Sequence, residues 1–330
     1  MLRAFGVENG TLDHVDVDPG APLPPEAVWV DLATPTREEE AVVEAALGID
    51  IPTRDEASGL QVSDRLIVAG GTIYMSAFVV PSPPTVPPVV PLTFVCAGDK
   101  LVTVRYSRLD SLDPFIAKLS SGQAGRLEGA GDVFAGLLEL IVDRLAERME
   151  ELGEHLHDVG RDIFRDPHMV AQRAGRPIPL GRRIHRLEAV IKELGRQHQV
   201  STTLRQSLHS MIRLVAFSEE HASDGMRHRL RSVAQDLKIL SDLNGHFEAD
   251  LSFMLDSTVG LIDTQQNKVI YLLSILSIVL TPPVLIASVY GMNFQHMPEL
   301  AWPWGYAYAL TLMLVSALGP FLFFKFKGWL

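Results

Sequence analysis

Over its first third the chain alternates apolar and polar positions in short runs. Residues 27–32 (Ala-Val-Trp-Val-Asp-Leu) alternate in this way. Residues 64–68 and 72–80 flank the turn pair Gly70-Gly71, and 92–96 and 101–106 flank Gly98-Asp99-Lys100, so the spacing predicts strands and at least two hairpins. A helix is predicted over 36–47, with Thr34 or Thr36 as N-cap, Glu38, Glu39 and Glu40 in its first turn, and Gly48 ending it. The run Pro81-Ser82-Pro83-Pro84-Thr85-Val86-Pro87-Pro88 lacks the N–H donors for a regular ladder and reads as an extended loop. Residues 1–130 therefore form a small mixed α and β domain.

From Gly131 the period becomes helical. Phe134, Leu137, Leu138, Ile141, Leu145, Met149, Leu152, Leu156 and Val159 recur at steps of three and four, predicting one long amphipathic helix over 133–162. Breaks at Asp166-Pro167 and at Gly175-Arg176-Pro177-Ile178-Pro179 lead to a second helix over 182–217, which can return beside the first within a segment 131–225. A third helix starts near Gly225 or Met226 and meets no proline before Pro282. Unbroken, it would run about 90 Å as a stalk and enter the next apolar run as one rod over 226–290. Gly245 and Gly260 would cost it about 1 kcal/mol each.

Two runs, 269–290 and 306–324, contain no Asp, Glu, Lys, Arg or His, and each is about as long as the roughly twenty residues that cross a bilayer. They predict a membrane-embedded hairpin. Its connection, 291–305, has no Lys or Arg, whereas Lys268 precedes the first run and Lys325 and Lys327 follow the second in the tail 325–330. That asymmetry places both chain ends in the cytoplasm and the connection outside an inner (plasma) membrane. Tyr290, Trp302, Trp304 and Tyr306 stand where aromatic side chains mark the outer interface. Residues 1–20 hold no apolar core of the length a signal peptide needs.

Charge then narrows the function. The formal net charge of -11 falls almost wholly before the apolar runs, which disfavours nucleic acid as a partner and favours cations. The single Cys96 excludes an internal disulfide and a cysteine-pair metal site. There is no Walker loop, no dinucleotide glycine pattern and no Cys/His constellation, so an enzyme is not expected. Without an ATP site, transport would run down an electrochemical gradient.

Two spans cannot enclose a path, so several copies would assemble around it. Asn267, Ser274, Ser277, Thr281 and Ser288 follow steps of seven, three, four and seven along one face of the first span, which makes it the lining candidate. The other reading of these hydroxyls, bonding back to the carbonyl four residues earlier, stays open. Ile270 and Leu273 lie near the inner end, where aliphatic rings close a path by dewetting. Pro282-Pro283 would loosen the helix and free the carbonyls near residues 278 and 279.

Tyr290-Gly291-Met292-Asn293-Phe294, then Met297-Pro298-Glu299-Leu300, Trp302-Pro303-Trp304-Gly305-Tyr306 and the ending Phe324-Lys325-Phe326-Lys327-Gly328-Trp329-Leu330 resemble the signature of the CorA family of magnesium channels. The resemblance implies a membrane α-helical protein with an α+β cytosolic domain, assembled as a funnel-shaped homopentamer with two transmembrane helices per protomer. It also implies a stalk helix continuous with the first span and an outer selectivity ring of Gly291, Met292 and Asn293. Mg²⁺ sheds water reluctantly, so a ring of neutral oxygens, the Asn293 amide and the Gly291 carbonyl, suits the hydrated ion. Met292 is expected to pack rather than coordinate, since a thioether is a poor ligand for a hard cation. Glu299, the one acid of the outer loop, would ring the entrance with negative charge.

Lys268, Lys325 and Lys327 would form a basic belt at the inner mouth. Closure by cytosolic metal is implied by the resemblance, and the candidate acids are diffuse: Glu147, Glu150, Glu151, Glu154, Asp158 and Asp162 on the first long helix, with Asp236 and Asp242 on the stalk. Mg²⁺ is the expected cargo and regulator, with Co²⁺ or Ni²⁺ as further cargoes. A Zn²⁺ transporter similar to ZntB and coupled to protons stays open, with His296 near the entrance in its favour. So does a non-conducting membrane scaffold or metal sensor.

Overall fold

The structure, a computed structural model, describes residues 1–15, 17, 22–57, 65–81, 89–123, 126–164, 180–293, 298 and 302–328, the side chains of 180–183 excepted. Seven strands, β1 (Leu2–Glu8), β2 (Thr11–Val15), β3 (Ala27–Ala33), β4 (Leu66–Ala69), β5 (Thr72–Val79), β6 (Val90–Ala97) and β7 (Lys100–Arg105), form one sheet in the order β2-β1-β3-β7-β6-β5-β4. Every neighbouring pair is antiparallel except β3 and β7. That parallel pair joins the N-terminal hairpin to the β4–β7 meander across a crossover holding α1 (Arg37–Leu47) and α2 (Arg54–Ala57). The remaining helices are α3 (Leu112–Ser120), α4 (Ala130–Phe164), α5 (Leu180–His221), α6 (Asp224–Tyr290) and α7 (Gly305–Phe326).

The predicted strands and helices are present with shifts of a few residues at their ends. α1 starts on a capping box in which Thr36 accepts from the Glu39 N–H while the Glu39 carboxylate accepts from the Thr36 N–H. It stops at Gly48 with φ 66°, a left-handed position that suits glycine. The hairpin β1–β2 was not anticipated, although its turn Asn9-Gly10 has positive φ at both residues (54° and 86°), the pattern that Asn-Gly supplies. α3 was also not anticipated; Pro114 in its first turn reads as a breaker, yet there a missing N–H costs nothing.

By contacts the chain divides into two units, Met1–Phe164 with Lys192–Met254, and Arg165–Ile191 with Leu255–Leu330. In the first, one core packs α1 on the sheet through Val43, Val30, Leu32, Val95, Val102 and Val104. On α4, Phe134 meets Phe94 of β6 edge to face, with ring centres 5.3 Å apart. Beyond the end of its pairing with β4, β5 is completed by α5: Ser210 accepts from the Phe78 N–H at 2.9 Å and Ser207 donates to the Phe78 carbonyl at 2.8 Å. These hydroxyls stand in for the missing strand.

α6 contacts both other long helices. Met226, Phe247 and Met254 lie against Gly131, Gly153 and Gly160 of α4, numbers rising together, so the two helices run parallel. α5 runs antiparallel, with Ser201 donating to Asn244 at 3.1 Å and Arg231 paired with Glu219 at 2.8 Å. Unbroken over 67 residues, α6 is about 100 Å long.

In the second unit, the apolar windows of α6 and α7 have mean hydropathies of 2.4 and 1.9, and only 6% and 11% of each window is buried. Leu272 and Leu276 of α6 and Leu314, Val315, Leu322 and Phe323 of α7 are all more than half exposed. Buried core helices hide such side chains, so this surface is one that lipid covers. Both helices are transmembrane spans.

Candidate ion pathway

The part of α6 in the membrane has two unlike faces. Ile275 is buried and Val279, Ile286 and Tyr290 are half-buried, a sheltered stripe; α7 shelters Gly305, Ala309, Met313, Ala317, Pro320 and Phe324 at steps of three and four. Asn267, Ile270, Leu273, Ser274, Ser277, Thr281 and Ser288 are all exposed. At about 100° per residue these seven span an arc of about 120° centred opposite the sheltered stripe of α6. A residue that lines a path between copies must be free on the single chain, and all seven are.

The hydroxyls are already bonded. Ser274 donates to the Ile270 carbonyl at 2.9 Å, Ser277 to Leu273 at 2.9 Å and Thr281 to Ser277 at 2.6 Å. This satisfies the donor and leaves the oxygen lone pairs outward, so backbone bonding and a path-facing acceptor coexist. Pro282 and Pro283 lie inside α6, which continues through them to Tyr290.

After Tyr290 the helix closes with the Gly291 N–H donating to Ala287 O at 2.9 Å and the Met292 N–H to Val289 O at 3.3 Å. A Cβ on Gly291 would sit 3.1 Å from Ala287 O, closer than ordinary contact. Gly291, Met292 and Asn293 are all exposed, at the end of α6 beyond the polar stripe. Residues 294–297 and 299–301, Glu299 and His296 among them, lie outside the described residues.

Lys268, Lys325 and Lys327 are exposed, the first ahead of the apolar part of α6 and the others at the end of α7. Asp236 and Asp242 are exposed on α6. Six residues apart on a helix, they point to different sides. Asp236 faces the α4 acids: the Asp143 carboxyl is pushed up by desolvation, then by Glu139, Glu147 and Asp236, against the pull of Lys118. Among the described residues no group of three or more His, Cys, Asp or Glu could hold a metal ion.

The family described as CorA-like Mg²⁺ transporter protein matches residues 25–327. The chain belongs to the CorA family. Its relatives include the magnesium transport protein CorA of Escherichia coli (strain K12), 27% identical over 338 residues, and that of Yersinia pseudotuberculosis, 28% over 336, each covering 100% of both sequences. Among solved structures, the CorA magnesium transporter from Methanocaldococcus jannaschii aligns with TM-score 0.75 at 17% identity, over 100% of this chain and 99% of that one. The ZntB cytoplasmic domain from Vibrio parahaemolyticus aligns with TM-score 0.57 at 9% identity, over 79% of this chain and 98% of that one. The CorA fold therefore extends over the whole chain, spans included.

One polar centre escaped the sequence reading. Asp31 on β3, fully buried, accepts from Arg105 at 3.0 and 2.9 Å, from Arg3 at 2.8 Å and from Thr103 at 3.0 Å, while Arg3 also pairs with Asp113 at 2.8 Å. Its only sequence signal was an acid inside an apolar strand; its partners lie 28 and 74 residues away.

Proposed function

We propose that the protein carries Mg²⁺ into the cell down its electrochemical gradient, through a homopentamer in which α6 lines the path. The carrying observation is the free polar stripe of α6 opposite its sheltered face, in a chain of the CorA family. For a divalent ion the membrane potential supplies about 4 to 5 kcal/mol per 100 mV, enough to drive uptake without a nucleotide site. Both termini are cytoplasmic in this reading, Lys268, Lys325 and Lys327 lie at the inner mouth, and Gly291-Met292-Asn293 rings the outer one.

Neutral oxygens at that ring, the Asn293 amide and the Gly291 carbonyl, select an ion that keeps its water shell. Glu299 concentrates cations at the entrance. Ile270 and Leu273 narrow the inner end. Asp236, beside the acids of α4, is the better placed of the two stalk acids to feel cytosolic cations.

The test is Mg²⁺ and Zn²⁺ entry into liposomes carrying the purified protein under an inside-negative potential, with Asn293→Ala as control. Potential-driven Mg²⁺ entry, lost in the variant, is the expected result. Zn²⁺ entry that needs a proton gradient would transfer the protein to the ZntB-like reading, and no flux of either ion would favour a scaffold.

A further inference from the structure

A cavity of about 270 Å³ lies between the sheet and α4, wholly inside the first unit. Val79, Leu92, Phe94, Leu137, Ile141 and Leu145 give it apolar walls. Its polar lining is unevenly used. Arg105, its side chain 10% exposed, spends Nε and one Nη2 hydrogen on Asp31 and one Nη1 hydrogen on the Ser107 carbonyl at 3.2 Å. A guanidinium has five N–H bonds, so two, one on each terminal nitrogen, have no partner among the described residues.

Ser111 also lines the cavity, as the N-cap of α3, and its side chain makes no capping bond. Helix N-termini favour negative charge. The buried carboxylate of Asp31 is shared by Arg105 and Arg3, and Arg3 is balanced in turn by Asp113, so the ionic group behind the cavity is neutral as a whole and what it offers a ligand is the pair of spare Arg105 N–H bonds. Arg144 and Arg148 line it too, each in a pair with Glu147 (2.8 Å) or Glu151 (2.9 Å) whose members are all at least a third exposed. Such pairs are weak and open readily.

We infer that this cavity binds a small organic carboxylate with an apolar body, the carboxylate on the spare Arg105 N–H bonds and the Ser111 hydroxyl, the body between β6 and α4. An apolar pocket with a few convergent polar groups is the usual make-up of a small-molecule site, and drug-sized ligands take roughly 300–1,000 Å³. This one suits a smaller molecule, of the size of a benzoate. A neutral alcohol offers one oxygen where a carboxylate offers two and carries no charge to meet the guanidinium, so it pairs the two N–H bonds less well and the site disfavours it. None of its lining residues is among those assigned to the ion pathway.

The test is ¹⁹F NMR of 4-fluorobenzoate with the full-length protein in lipid nanodiscs, against empty nanodiscs and against neutral 4-fluorobenzyl alcohol. Saturable binding of the carboxylate, at least tenfold tighter than the alcohol, is expected. Leu109→Trp, which puts a larger side chain into the cavity lining, should abolish it. Ser111→Ala removes only a hydroxyl, keeps the fold, and should weaken binding several-fold. No saturable signal beyond the empty discs, equal affinity for the alcohol, or undiminished binding in Ser111→Ala would overturn the proposal.

Discussion

Phe247 of α6 seats its ring on Gly153 of α4, where an added Cβ would lie 3.1 Å from the ring tip. Seven residues on, Met254 meets Gly160 in the same way at 3.2 Å. Two glycines a heptad apart thus fix the register of α6, the helix that becomes the first span, against α4. Gly153→Leu is expected to destabilise the folded chain by about 1 to 3 kcal/mol through overpacking, and adding Phe247→Ala should recover part of the loss. Thermal denaturation of the two variants checks this.

Asp31 pairs with both Arg3 and Arg105 inside the first unit and is itself fully buried. Asp31→Ala leaves the buried Arg105 guanidinium without its counter-charge and Arg3 with Asp113 alone, and should cost about 3 to 5 kcal/mol, the usual penalty for breaking a buried ion pair. Chemical denaturation of the variant would show it as a large fall in the midpoint. The exposed pair Arg144–Glu147 should show almost none.

Thr281 lies on the free stripe of the first span and Ile275 on its sheltered stripe. Thr281→Val keeps the shape and loses a hydroxyl bonded to Ser277 O, so stability should hold within about 1 kcal/mol. Mg²⁺ entry should fall several-fold. Ile275→Ala should lower stability, since Ile275 is 6% exposed. Unchanged flux in Thr281→Val would take the polar stripe out of the ion path.

Asp143 has its pKa raised by desolvation first and then by Glu139, Glu147 and Asp236. Its folded value lies above the unfolded one, so its favourable contribution is complete below the unfolded pKa and is lost as pH rises through the folded pKa. Asp143→Asn should therefore raise the melting temperature at pH 7 and give no gain below the ordinary aspartate value of 3.8. Melting curves at the two pH values decide it.

Cys96 on β6 has its thiol pushed up to about 12 by burial. At pH 8 on the order of 10⁻⁴ of it is thiolate, the nucleophilic form. Iodoacetamide should leave the folded protein unmodified and label it once on unfolding, read by mass spectrometry; rapid labelling of the folded chain would contradict this.

What the sequence by itself determined is local in origin. The helix start at Thr34 or Thr36, the apolar steps of three and four along α4, the proline-free stalk from about Gly225 or Met226 and the two uncharged runs each depend on residues within a turn or two, so periodicity and composition exposed them. Gly291-Met292-Asn293, on which the family resemblance partly rests, is contiguous in the sequence for the same reason. The Asn9-Gly10 turn was equally local and was passed over because its flanking strands alternate weakly.

The tertiary structure decided whatever depends on pairs distant in the chain. Only it sets β7 parallel to β3, brings Arg3 and Arg105 onto one carboxylate, and seats Phe247 on Gly153. It also decided that the polar stripe of α6 stays free while the opposite face is sheltered. A one-dimensional pattern gives the angle between residues on a helix but not which side meets a neighbour, because packing choices are made by surfaces that the chain brings together only on folding.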